Sequence, residues 1–248
     1  MILNLHGLTS NLLQQLEYSR LASLGPPRGY VVVTPQGSGR IPHWMVPPLP
    51  GPDDAGFLRG VLKSVAASVP VDPGRRFATG ISNGAAMAMA LAATWPGYFA
   101  AVAPVAGVNA VPPRPVAGIA VCAFHGTEDR IVPFVGGTLF GGLRGGGSVR
   151  RALGGRATPR VQLASVEAVM RAFAAANGVH RDPVVVPIGT DVVQTTYAAA
   201  PGLELFTVTG GGHTWPGSAD TVRLLGATTR TIDATAVMLD RFDALAQS

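Results

Sequence analysis

Three residues of this 248-residue chain could together open and reseal an acyl bond: Ser82, Asp129 and His213. Ser82 stands in GISNG, residues 80–84, a G-x-S-x-G pattern. The chemistry explains the glycines. A nucleophilic serine sits on a very sharp strand-to-helix turn that holds its hydroxyl clear of the backbone, and side chains at the flanking positions would clash there. The helix that follows turns its first N–H groups toward the site, where they favour developing negative charge. The context fits, since RFATGI reads as a strand and NGAAMAMALAATW as a helix. The competing reading is a plain helix N-cap serine.

A serine needs a base, and the base needs an orienting acid. In a strand–turn–helix hydrolase the chain order is serine, acid, histidine. His213 lies in TGGGHTWPG directly after the apolar run LELFTV, and Asp129 lies in HGTEDRIVP directly after IAVCAF. Both follow strands at their carboxyl ends, where ligands bind in open α/β sheets. The rivals are fewer than the titratable residues. His125 reads as a structural histidine of an HG turn and His6 as a shaper of the first loop. His43 stands in a Pro-rich loop that could touch a substrate, and His180 is expected on the surface. Glu128 is the main rival acid, and Asp182, Asp191 and Asp220 are less well placed. Any one of these residues could be a satisfied polar loop group, whereas three in this order, each after a strand, are much harder to place that way. An oxyanion hole would come from two main-chain N–H groups, that of Asn83 after the serine and that of Leu8 in the loop LHGL.

The elements that must position these residues alternate along the chain. Strands are predicted at 1–5, 30–34, 76–81, 100–105, 119–124 and 203–208, and helices at about 11–23, 53–68, 83–95, 162–177 and 230–246. That alternation predicts a mostly parallel sheet with helices on both faces, an α/β fold. The length suits a single domain over 1–248, and no linker divides it. Two loops break the rhythm, 36–52 and 135–160, and their apolar side chains (Trp44, Met45, Phe134, Leu139, Phe140) are expected to shape the substrate site.

Composition narrows the classes. Apolar residues make up 47% and charged ones 13%, which supplies a core and excludes a disordered chain. The net charge of +5 is scattered, without the basic stripe that nucleic acid requires. No segment is long and apolar enough to span a membrane. The single cysteine, Cys122, forbids an internal disulfide and reads as a small core residue. No metal-ligand spacing is found, so neither metal nor organic cofactor is expected.

The segments LHG (5–7), DDAGFL (53–58), GISNGAAMAMALA (80–92), PGYFAAVAPVAG (96–107), FHGTEDRIVPFVGG (124–137) and GGGHTWPG (210–217) resemble, in order, the α/β-hydrolase esterases that group polyhydroxybutyrate depolymerases with feruloyl and acetylxylan esterases. The resemblance implies an α/β-hydrolase fold and a serine carboxylester hydrolase. Its triad would be Ser82, Asp129 and His213, and its oxyanion hole Leu8 and Asn83. A small ester or oligoester would be the partner. Trp44 is expected at the substrate, and Trp215, beside the base, as a substrate wall or a loop anchor. The family usually carries one or two strands before the LHG strand. Those N-terminal strands are expected to be missing here; no export signal is expected in this chain although the family is often secreted, and a late start would also remove one. The alternatives are an oligopeptidase-type serine peptidase and a non-catalytic hydrolase-fold binding protein. Oligomeric state stays open.

Overall fold

The computed structural model describes residues 1–110, 114–142, 162–198, 200, 202–219 and 223–245. An eight-stranded sheet runs through the molecule. In chain order its strands are β1 (Ile2–Leu5), β2 (Val32–Val33), β3 (Phe77–Ile81), β4 (Ala101–Val105), β5 (Ala120–Gly126), β8 (Val184–Ile188), β9 (Val192–Ala198) and β10 (Leu203–Val208). A separate antiparallel pair is made by β6 (Gly137–Thr138) and β7 (Gln162–Leu163). The spatial order is β2-β1-β3-β4-β5-β10-β9-β8. From β2 to β10 every neighbouring pair is parallel, and β10-β9 and β9-β8 are antiparallel.

Strands β1, β3, β4 and β5 are buried over their whole length. Strands covered on both faces are continuous apolar runs, as these are. Residues alternate between two cores. Leu3, Leu5, Ala78 and Val102 join one core with α3 (Asp54–Ser68), α4 (Asn83–Thr94) and α5 (Val166–Ala176). Ile2, Phe77, Ala101 and Ala103 join the other with Leu21 of α2 (Leu21–Leu24) and with Met238, Leu239 and Phe242 of α6 (Ala234–Leu245). Phe242 stacks on Phe77 with ring centroids 4.2 Å apart, which docks α6 on β3.

The predicted helix at 11–23 is two helices, α1 (Leu12–Ser19) and α2, because Arg20 adopts a left-handed φ of 51° between them. Arg20 is held there by an ion pair to Asp233, ahead of α6. On the same face, buried Asn4 donates to Ser19 Oγ at 3.0 Å and accepts from Gln15 Nε2 at 2.7 Å, so α1 is tied to β1 by satisfied polar groups. The strands β8 and β9 were not among those predicted. Val184, Val185 and Val186 are exposed at the sheet edge, and the stretch lacks the inside–outside alternation that marks a half-buried strand. Strand β2, within the predicted 30–34, forms the opposite edge.

Candidate active site

The strand–turn–helix around Ser82 forms as its sequence demands. β3 ends at Ile81 and α4 begins at Asn83. Ser82 itself has φ 58° and ψ −117°, a conformation that residues other than glycine rarely adopt. Its N–H is fixed to Val105 O at 2.9 Å, on the neighbouring strand. Its side chain makes no capping hydrogen bond to α4, so the plain N-cap reading is not what the fold uses. A Cβ on Gly84 would lie 2.2 Å from Leu5 O, and one on Gly80 2.6 Å from the same atom. The glycines are therefore demanded by the approach of the turn to β1, a backbone neighbour that cannot swing aside. Gly84→Ala is expected to destabilise by about 1–3 kcal/mol, the usual range for overpacking. At about 2–4 °C per kcal/mol for a chain of this size, thermal unfolding followed by circular dichroism reads the loss directly.

Asp129 and His213, 84 residues apart, meet at the carboxyl edge of the sheet, where His213 Nδ1–H donates to Asp129 Oδ2 at 2.7 Å. Both are buried, 4% and 5% exposed. The other carboxylate oxygen, Oδ1, accepts the N–H groups of Ile131 (2.9 Å) and Val132 (2.8 Å). Burial pushes the Asp129 carboxyl up, but the charge and hydrogen bonds of His213, together with His125, outweigh it and hold the group well below the usual carboxylate range. The rival Glu128 is exposed and offers only its N–H, to Gly211 O at 2.8 Å. Asp182 is exposed, Asp191 is partly exposed and accepts from Thr231 Oγ1, and Asp220 lies outside the described residues.

The loop bearing His213 is laced to the segment 225–229: Gly212 N–H donates to Ala227 O (2.9 Å), His213 N–H to Leu225 O (2.6 Å) and Gly217 N–H to Thr229 O (3.0 Å). No hydrogen bond joins His213 to Ser82. Contacts between base and nucleophile are often loose without substrate, and they tighten in the reacting complex.

His125 has a larger part than a turn histidine. Its Nε2–H, donated to Val132 O at 2.8 Å, also lies 3.3 Å from Asp129 Oδ2, so the acid carries two imidazoles. Its spacing four residues before Asp129 is the sequence signal that could have revealed it. His6 does shape the first loop: Nδ1–H reaches Gly7 O at 2.8 Å, and Nε2 accepts from Gly37 N–H at 2.9 Å. His43 is half-buried with Nδ1 on Ile41 O at 2.9 Å, and His180 is exposed.

Both tryptophans need correction as substrate contacts. Trp44 and Trp215 are each 1% exposed. Trp215 Nε1–H donates to Thr235 Oγ1 at 3.0 Å, and Thr235 in turn donates to Ser19 O. Its indole anchors the histidine loop to α6 instead of lining a pocket. Trp44 Nε1–H donates to His6 O at 3.0 Å, inside the scaffold. Of the loop 135–160, residues 143–160 lie outside the described residues.

Leu8 and Asn83 stand at the two loops beside Ser82, both partly exposed. Leu8 follows β1 and Asn83 opens α4, next to β1 through the Leu5–Gly80 register pair.

No family model matches the chain. It is 34% identical over 206 residues to NocK of Nocardia uniformis subsp. tsuyamanensis, a protein named as an esterase, a match covering 77% of this chain and 58% of that one. It is 27% identical over 230 residues to poly(3-hydroxyalkanoate) depolymerase C of Paucimonas lemoignei, covering 87% and 55%. The chain thus spans less than two thirds of the length of these relatives. Among solved structures, an acetyl xylan esterase from Aspergillus awamori superimposes with a TM-score of 0.62 at 16% identity, over 86% of this chain and 83% of that one, which establishes the common fold. With this sheet, the strand–turn–helix at Ser82 and these relatives, the chain belongs to the α/β-hydrolase family of esterases.

Proposed function

We propose that this chain is a serine carboxylic ester hydrolase that works through an acyl-enzyme. The observation that carries the reading is the buried His213–Asp129 hydrogen bond, which commits Nδ1–H to the carboxylate and leaves Nε2 as the proton acceptor. In the first step Nε2 takes the Ser82 proton as Oγ attacks the ester carbonyl. The carbonyl π electrons move onto oxygen, and the N–H groups of Leu8 and Asn83 receive the oxyanion. Collapse expels the alcohol, which takes the proton from His213. Water then repeats the sequence on the acyl-enzyme and releases the acid. Asp129 holds the imidazole in the required tautomer and stabilises the imidazolium.

The depolymerase among the relatives points to hydroxyalkanoate esters and the feruloyl esterases of the sequence resemblance to aryl esters, and the choice between them belongs to the loops around the site. The test is a panel of p-nitrophenyl acetate, butyrate and octanoate, methyl ferulate, a hydroxybutyrate oligomer and a chromogenic peptide, with fluorophosphonate labelling alongside. Ester turnover with stoichiometric labelling is expected. Peptide turnover exceeding ester turnover would shift the reading to a peptidase, and absence of both labelling and turnover would leave a binding protein on a hydrolase fold.

A further inference from the structure

We propose that Trp44 is a positioning residue that fixes the distance between the two oxyanion donors, an inference that rests on the esterase reading above. The two donors sit on separate pieces of chain. β1 and β3 hold them in register only as far as Leu5 and Gly80. Beyond that point no ladder pairing continues, although the segments still pack closely where Gly84 meets His6 O and Gly7 meets Ser82; each hole N–H is main-chain, so no side-chain rotation can restore a lost alignment.

Trp44 links the two segments with three hydrogen bonds to two partners. On one side its indole Nε1–H donates to the carbonyl of His6, two residues before Leu8, at 3.0 Å. On the other, its backbone is bracketed by the Asn83 side chain: Trp44 N–H donates to Asn83 Oδ1 at 2.7 Å, and Asn83 Nδ2–H donates back to Trp44 O at 3.0 Å. The residue whose backbone N–H serves the hole thus uses its side chain to grip the same tryptophan that grips the other donor loop.

The bridge is itself held rigid. The indole packs against the His6 ring, centroids 5.0 Å apart and planes 41° apart. His6 Nε2 accepts from Gly37 N–H, so the start of the Trp44 loop is pinned to the same histidine. The next residue, Met45, donates its N–H to buried Asp54 Oδ2 at 2.6 Å, which ties the far side to α3. An oxyanion donor is useful only about 2.7–3.1 Å from the charge it receives, and an error near 1 Å can cost about 100-fold. A crosslink between the donor loops therefore acts on kcat and leaves ground-state binding alone.

The experiment compares wild type with Trp44→Phe, which removes the indole N–H and keeps a ring, and with Asn83→Ala, which removes the backbone bracket and keeps the Asn83 N–H. Steady-state p-nitrophenyl butyrate kinetics are normalised to sites titrated by fluorophosphonate, so unfolded protein is not counted. Inhibition by an alkyl trifluoromethyl ketone, whose serine adduct carries the oxyanion, is measured in parallel. In both variants kcat is expected to fall by about tenfold or more with KM within about twofold, and inhibition to weaken by a similar factor. Unchanged kcat per titrated site in both variants, or a change confined to KM, would overturn the proposal while the active wild type upheld the esterase reading. A wild type that neither hydrolyses esters nor labels would remove both together.

Discussion

Ser82→Ala is expected to lower kcat for p-nitrophenyl esters by about 10⁶-fold and to abolish fluorophosphonate labelling, because removing the nucleophile of a triad costs about as much as removing the triad entire. Stability should scarcely change. The hydroxyl caps nothing, and the N–H bond to Val105 O survives the substitution. Alanine inherits the strained φ of 58°, so the backbone energy is the same in both proteins. Ser82→Gly is the informative companion. Glycine adopts this conformation freely, and relief of about 1–3 kcal/mol of strain exceeds the roughly 0.5–1 kcal/mol that glycine adds through unfolded-chain entropy. The glycine variant should therefore be as inactive as the alanine variant yet melt about 2–4 °C above it, a gain of about 1 kcal/mol. That pairing separates a residue strained for chemistry from one that is merely a turn. Ester turnover surviving in Ser82→Ala with the protein folded would sink the proposed nucleophile.

How far the sequence reaches is set by the range of the interactions concerned. Sharp local signals were readable: the apolar runs of the buried strands, and the serine between glycines at a strand-to-helix junction. The observed β3–Ser82–α4 unit follows from residues 77–94 alone. The placement of Asp129 and His213 after β5 and β10 was readable too, because both strands are rich in apolar residues and have glycine at or just beyond their ends. That the two strands are adjacent, and so bring the acid to the base, is a property of sheet order that no local pattern states.

The hairpin of β8 and β9 was missed for a related reason. Its β8 is an edge strand whose three valines are exposed, and Pro187 argues against a strand when read alone. The tryptophans mislead in a third way. Apolar residues in a Pro/Gly loop look like a substrate wall until their polar atoms are traced, and both indole N–H groups turn out to be spent on the scaffold. His125 was judged on its HG turn, whereas its role comes from a carboxylate four residues on that the turn folds back toward it. For the tryptophans the missing information is which distant hydrogen-bond partner each indole finds, and only the assembled fold supplies it, whereas the contact of His125 is local.

Asp129→Asn is expected to lower kcat by about 10⁴-fold while leaving fluorophosphonate-accessible serine in place, and the hydrogen bonds around the carboxyl say why. Oδ1 accepts two backbone N–H groups, from Ile131 and Val132, and Oδ2 faces the N–H groups of His213 and His125. An asparagine has one oxygen for these four donors. If its oxygen stays with the two backbone groups, its NH₂ faces both imidazoles. His213 must then accept at Nδ1 and carry its proton on Nε2, so it can no longer take one from Ser82. The flipped amide would press NH₂ against two backbone donors that cannot rotate away, which is the worse arrangement. The substitution thus selects the wrong tautomer. It also leaves His125 Nε2–H beside a donor, although Val132 O still accepts it.

The same census gives a pH test with a definite sign. The folded carboxyl is held below its ordinary 3.8, so its stabilising contribution is complete above that value and is lost as pH falls from there through the folded value. The melting temperature of wild type should exceed that of Asp129→Asn by most near neutrality, and the gap should shrink as pH drops below about 4. A gap that stays constant to pH 3, or a kcat loss below about tenfold, would show that Asp129 packs the loop without orienting the base.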